Sequence, residues 1–263
     1  MTLALRALFL TGAAALLPLA AQAQAAPEPT CASLLAEARE DVGVGFEAGR
    51  AELTMEIRRG KAAPRVRKMI ALAAEEGGLR RSLIRFTAPA EVAGTALLMR
   101  EAASGEDEQL LYLPALKKVR RISGGKREGS FMGSDFSFED LSAKVEGSER
   151  CERLPDAELQ GQQTWVVQAR PADPSTGPYG RVKVWIHPKT RVAVQMELYG
   201  KDGETLVKKM RVQRMKKVEG RWVPTDIVME TVARKSQTRL IIDGIQSELR
   251  FPPETFSERA LGQ

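Results

Sequence analysis

From Glu52 onward the chain reads as short stretches of alternating apolar and polar residues separated by tight turn signals. That pattern constrains the fold more than any other feature. In Glu52 to Arg58, the residues Leu53, Met55 and Ile57 alternate with Glu52, Thr54, Glu56 and Arg58. This is the period of two expected of a half-buried strand, because successive side chains leave opposite faces. Val66 to Ala74 and Leu79 to Thr87 read as two more strands, joined as a hairpin through Glu76, Gly77 and Gly78. Thr95 to Glu101 and Gln109 to Leu113 pair across the polar loop of Ser104, Gly105, Glu106 and Asp107. Thr164 to Arg170 follows, and then Arg181 to His187 sets Val182, Val184 and Ile186 against Arg181, Lys183, Trp185 and His187. Beyond the turn at Pro188 to Thr190, the residues Val192, Val194, Met196 and Leu198 alternate with Arg191, Gln195, Glu197 and Tyr199. Thr205 to Met215, Trp222 to Val232 and Thr238 to Ile245 complete the set.

Roughly eleven or twelve strands result, with no alternation of strand and helix that would build a parallel sheet. The expected class is mainly β (α+β): a single large curved antiparallel sheet. Ser33 to Val42 reads as one helix, with Leu34, Leu35 and Ala38 on its apolar side and Gly43 and Gly45 after it. Pro253 to Leu261 can close the chain as another. The concave face of such a sheet is apolar and needs a cover or a ligand. The N-terminal helix and the segment Phe131 to Leu141 are the candidate covers, and a sheet closed by short helices is a common way to build an apolar binding site.

The first residues carry Arg6, a mostly apolar run from Ala7 to Ala21, and small residues at Ala21, Ala23 and Ala25. This is the pattern of a secretory signal peptide over 1–25, with one domain over 26–263. Gly12 and Pro18 interrupt the run, which is shorter than the ~20 apolar residues of a membrane-spanning helix. The two cysteines, Cys31 and Cys151, both lie in the exported part. An oxidising compartment favours a disulfide between them, tying the N-terminal helix to the middle of the chain; two separate buried thiols are the other reading. Pro27, Glu28, Pro29 and Thr30 before Cys31 lack the small and apolar pattern that precedes a lipidated cysteine.

Tyr112 to Leu141 is unlike the rest. An apolar run ends at Pro114, a dense basic patch follows from Lys117 to Ile122, and Ser123, Gly124 and Gly125 interrupt regular structure. Then Phe131, Met132, Phe136 and Phe138 stand among Gly133, Ser134, Asp135 and Ser137. Three of the eight phenylalanines fall in this window, which reads as a shaped apolar surface beside a charged rim. Leu111, Leu113, Phe131, Met132, Phe136, Phe138, Val184, Ile186, Val194 and Met196 are the expected cavity and lid. Lys117, Lys118, Arg120 and Arg121 are the expected contacts for an anionic head group or a partner. Adjacent strand residues face opposite ways, so only one of Arg120 and Arg121 can face the cavity.

Catalytic readings are weaker. The single histidine, His187, lies on the polar face of a strand before a proline, poorly placed for a Ser/His/Asp triad or a metal site. Asp135, Glu139 and Asp140 invite an acid pair, but a capping role for Asp135 or Ser137 fits the short helix better. Ser123 to Lys126 lacks the GxxxxGK[ST] spacing of a phosphate loop. No enzyme activity, cofactor or metal is expected. A pI near 9.4, with Lys126 and Arg127 added to the basic cluster, would suit nucleic acid, but export argues against it and towards a membrane surface or a partner protein. A second basic run, Lys208, Lys209, Arg211, Arg214, Lys216 and Lys217, reads as a solvated face.

The runs YLP, KKVRRI and SFMGSDFSFEDL resemble the signature of the outer-membrane lipoprotein-sorting-like proteins, relatives of the periplasmic lipoprotein carrier LolA. The landmarks Phe86, Pro89, Gly94, Thr95, Tyr179, Trp185, Trp222, Pro224 and Thr238 also fit, while Glu146 to Gln163 departs from the pattern. The resemblance implies an unclosed barrel with a helical lid that binds a lipid or acyl chain in the periplasm. It also implies work with an inner-membrane exporter of the resistance-nodulation-division type. A non-carrying regulator or adaptor on the same fold is the other reading that it allows.

Overall fold

The computed structural model describes residues 29–40, 48–104, 106–142, 150–173 and 177–262. The signal-peptide reading of 1–25 lies outside them. The helix α1 spans Cys31–Glu40. Thirteen strands follow among the described residues: β1 (Gly49–Arg59), β2 (Arg65–Glu76), β3 (Leu79–Ala88), β4 (Ala96–Arg100), β5 (Glu108–Leu113), β6 (Lys118–Arg121), β7 (Arg150–Leu159), β8 (Gln162–Arg170), β9 (Arg181–Ile186), β10 (Ala193–Tyr199), β11 (Leu206–Val218), β12 (Arg221–Thr231) and β13 (Ser236–Ser247).

All thirteen form one antiparallel sheet in the order β6-β5-β4-β3-β2-β1-β13-β12-β11-β10-β9-β8-β7. The first six strands step outward from the middle to one edge. The chain then leaves for the opposite edge, restarts at β7 and steps back until β13 pairs with β1. β6 and β7 remain unpaired with each other, so the barrel is not closed. The connection between them joins the two edges, and the lipoprotein-sorting-like signature falls on it.

Two apolar clusters lie on opposite faces. The larger, on the front, gathers Leu53, Met55 and Ile57 of β1, Phe86 of β3, Leu97 of β4, Val184 and Ile186 of β9, Met210 of β11 and Leu240 of β13. Side chains from both arms meet in one cluster because the sheet curls about its front. α1 joins it through Leu34 and Leu35, and Cys31 is bonded to Cys151 of β7, 120 positions away, with Cα atoms 5.8 Å apart. The smaller cluster is on the back: Leu83, Leu98 and Leu110 lie beneath Phe256 and Leu261.

Three expectations are corrected, and two edge strands, β6 and β7, stand where no strand was expected from the alternation. Glu146 to Gln163 contains β7, an edge strand in which no residue is fully buried. Its charges, Pro155 and the register shift between Leu154 and Ala157 hide it from a periodicity argument and blunt the edge. Pro253–Phe256 and Glu258–Gly262 are short 3-10 turns rather than a helix, interrupted by Ser257, whose hydroxyl bonds the Glu254 carbonyl. The helix expected within Phe131 to Leu141 is likewise two 3-10 turns, Phe131–Gly133 and Glu139–Leu141. Val194 sits in a bulge of β10: Ala193 faces Ile186 and Gln195 faces Trp185. The extra residue breaks the alternation, so Ala193 joins the front cluster and Val194 is left half-buried outside it.

Candidate functional site

Residues 129–138 fold into a small hairpin over the front face. Phe131 N–H donates to the Phe136 carbonyl at 2.8 Å, Phe138 N–H to the Gly129 carbonyl at 3.1 Å, and Ser130 and Ser137 form a bridge. The tip turns through Met132 at φ +49° and Gly133 at φ +76°. A methionine in the left-handed region is strained by clash of its Cβ with the backbone, so the surroundings must hold it there. Phe131, Phe136 and Phe138 all point into the front cluster and are buried. The Phe131 ring lies 5.6 Å from Phe86 and 5.6 Å from Phe138, edge-on to the latter.

Polar groups hold this apolar plug from four sides. At the tip, Arg67 donates to the Met132 carbonyl and Arg59 to the Gly133 carbonyl at 3.0 Å. Burial pushes the Arg67 guanidinium below its ordinary pKa, with the Arg65 charge adding to the effect. At the middle, the buried Asp135 carboxylate accepts from the hydroxyls of Ser236 and Thr238 on β13, the latter at 2.7 Å, with Arg234 3.6 Å away. Towards β9 and β11, Asp140 accepts from the Tyr179 hydroxyl at 2.6 Å and from Lys208 on β11. Burial, then the Asp140 charge, drives the Tyr179 pKa far upward, so the phenol stays protonated as donor. At the base, Arg127 binds Glu139 at 2.6 Å, the Asp107 carbonyl at 2.9 Å and the Ser142 hydroxyl at 2.7 Å.

The sequence-predicted residues separate clearly. Leu111, Phe131, Phe136, Phe138, Val184, Ile186 and Met196 meet in one buried cluster, Leu113 and Met132 pack half-buried against it, and Val194 does not join. Lys117, Lys118, Arg120 and Arg121 are all exposed. Arg120 lies opposite Leu111 and Lys118 opposite Leu113, which places both on the front. Arg121 lies opposite Leu110 on the back, 3.5 Å from Glu108. Arg127, grouped with them by sequence, is buried in the hairpin base.

The capping role belongs to Ser137, not Asp135: Asp140 N–H donates to the Ser137 hydroxyl at 3.1 Å and Ser137 N–H to the Asp140 carboxylate at 2.7 Å. The three acids bind different partners rather than each other. His187 accepts the Thr190 N–H at 3.2 Å within its own turn. Sequence reasoning missed Arg59, Arg67 and Lys208 as holders of the hairpin. A signal existed: Arg59 shares strand parity with Leu53, Met55 and Ile57, Arg67 with Met69 and Ala71, and Lys208 with Met210 and Val212. A charge at a core-facing position needs a buried partner.

A family model described as an uncharacterized protein family matches residues 78–263. No curated protein matches the sequence. Among solved structures, one from Vibrio parahaemolyticus described as an outer membrane lipoprotein-sorting protein domain is 27% identical, with a TM-score of 0.77, covering 88% of this chain and 98% of its own. A DUF1329 family protein from Desulfovibrio piger is also 27% identical with a TM-score of 0.77, over 86% of this chain and 96% of that one. A LolA superfamily protein from Nitrosomonas europaea shares the fold at 18% identity and a TM-score of 0.69, over 88% and 99%. The chain therefore belongs to the DUF1329 family and has the LolA-like, lipoprotein-sorting fold.

Proposed function

We propose that this protein is a periplasmic carrier for a lipid or lipid-modified molecule, exported by cleavage after Ala25. The observation that carries the reading is the construction of the front cover. The apolar face of an open sheet is filled by three phenylalanines on a hairpin that belongs to neither arm. The contacts at its margin are hydrogen bonds and ion pairs that can exchange for water. Displacing the hairpin would expose Phe86, Leu97, Val184 and their neighbours to an acyl chain, so the hairpin in this position is the closed cover of that face. Phe131, Met132 and Phe136 are the moving part. Transfer between membranes with an inner-membrane exporter of the resistance-nodulation-division type is the partnership that the signature implies.

A second reading is favoured by the same plug. If Phe131 and Phe136 never leave the front face, the protein is a regulator or adaptor that displays the fold without carrying anything. Native mass spectrometry of protein purified from the periplasm, with lipid extraction, separates the two. A carrier retains a lipid, and Tyr179→Phe, which removes one bond to Asp140, speeds uptake of an apolar fluorescent probe several-fold while the circular dichroism spectrum is unchanged. Protein free of lipid, with probe uptake unaltered in the variant, would establish the adaptor.

A further inference from the structure

We infer that one rim of the sheet is a docking surface for an anionic phospholipid bilayer, built from exposed aliphatic side chains and lysines on separate turns. The inference deepens the carrier reading and rests on it for its purpose, though the surface itself is argued independently. The pairings Arg59 with Ser236, Ile57 with Arg65, Lys68 with Ala88, Leu113 with Lys118 and Lys208 with Thr231 bring the β1–β2, β3–β4, β5–β6 and β12–β13 turns to one end of the sheet. Among the described residues, the large apolar side chains left exposed are Leu116 at 50%, Val232 at 47%, Val66 at 45%, and Trp222 and Leu249 at 38% each. The three most exposed are all at this rim, and the other two are at the opposite one.

Two turns at this rim place a lysine close to an exposed aliphatic residue. In the β5–β6 turn, Lys117 takes φ +48°, and in the β12–β13 turn Lys235 takes φ +46°. Left-handed residues other than glycine also occur at the opposite rim, at Gln160, Arg191 and Glu219, so the backbone conformation alone does not set this rim apart. Leu116 precedes one of the lysines, and Val232 opens the turn that contains the other. Aliphatic residues are poor turn formers, and a local rule broken twice at one end of a fold points to a use for what is displayed there.

Beside Val232 is an open depression of about 400 Å³, lined among others by Arg58, Glu230 and Lys235. Glu230 is neutralised by Arg211, while Arg58 and Lys235 have no acidic partner among the described residues, so the depression offers an anion two cationic side chains. The rim's other acids, Glu91, Asp173, Asp202 and Glu204, stand on other turns. Aliphatic side chains spread over three separate places along the end of a sheet suit a plane rather than a peptide. Basic residues around them suit anionic head groups, with the aliphatic tips entering the interface. The hairpin tip at Met132 and Gly133, held by Arg67 and Arg59, is at this same rim, so docking there would present the mouth of the site to the bilayer.

Vesicle flotation of the mature protein tests this, with apolar-probe uptake read in the same samples. The protein should float with phosphatidylcholine vesicles containing phosphatidylglycerol, several-fold less with pure phosphatidylcholine, and less again as salt rises. Leu116→Ser with Val232→Ser, and separately Arg58→Gln with Lys235→Gln, should each reduce flotation several-fold at unchanged melting temperature. Trp222→Ser at the opposite rim should not. Equal flotation with both lipids, or rim variants that float like the parent, overturns the inference. If flotation fails while probe uptake persists, the surface is wrong and the carrier reading stands. If probe uptake is lost while flotation is intact, the surface stands and the carrier reading falls.

Discussion

The two faces of the sheet are covered in opposite ways. On the back, Phe256 and Leu261 settle on Leu83, Leu98 and Leu110, Phe251 meets Phe256 edge-on at 5.7 Å, and Arg85 ties the Ala260 and Leu261 carbonyls at 2.7 and 3.1 Å. This cover is the end of the chain, held mainly by apolar contact. On the front, the cover is an internal hairpin whose aromatic plug is surrounded by Asp135, Asp140, Lys208, Arg59 and Arg67. Buried charges stabilise little on balance, because desolvation offsets most of their attraction, yet each demands one geometry. The back is therefore built to stay shut. The front is built to close in one register and can exchange its margin contacts for water when it opens.

The comparison is sharpest at matched aromatics. Phe131→Ala and Phe256→Ala should each lower stability by about 3–5 kcal/mol, as removal of a buried phenylalanine does, measured by urea unfolding. Only the front variant should take up more of an apolar probe, because only there does the ring fill the proposed site. Equal uptake by the two would erase the distinction between the faces.

Reducing Cys31–Cys151 comes next in size. The bond joins α1 to the edge strand β7 across 120 positions, and its loss should cost about 2–4 kcal/mol and lower the melting temperature. Two thiols titrated in denatured, unreduced protein would show that no such tether exists.

The smallest effect concerns pH and lies on the back. The Arg239 hydrogen bond, opposed by burial and aided by Arg214, holds the Asp226 carboxyl below the ordinary carboxylate range, with Arg239 at 2.7 Å and Arg214 at 3.0 Å. A depressed pKa contributes stability that is complete above the unfolded value, near 4, and is lost as pH falls through the folded one. Acid should therefore lower the melting temperature, and Asp226→Asn should flatten that part of the profile. An identical acid slope in the variant would assign the sensitivity to other carboxylates.

Much of this was legible in the residues. Period-two alternation named nearly every strand, since each of those strands has one buried face. β6 and β7 escaped because edge strands with no fully buried residue carry no such alternation, and Val194 was misplaced because a bulge changes parity without changing composition. The aromatic cluster and the basic patch were visible as unusual composition. Their partners were not, because Asp135 meets Ser236 and Thr238 about a hundred positions later, and periodicity reports which face a side chain takes, not what lies across from it.

Local spacing was enough to specify the class of fold, the half-buried strands, the two cysteines' context and the place of the signature. Strand pairing in three dimensions was needed to show that the signature links the two edges of an open sheet. The same pairing separated Lys118 and Arg120 on the front from Arg121 on the back, and sent Arg127 into the hairpin base. Those outcomes depend on which strand each residue lies beside and on how the sheet curls. Register and curvature are settled by the whole set of strands together, so no single segment encodes them.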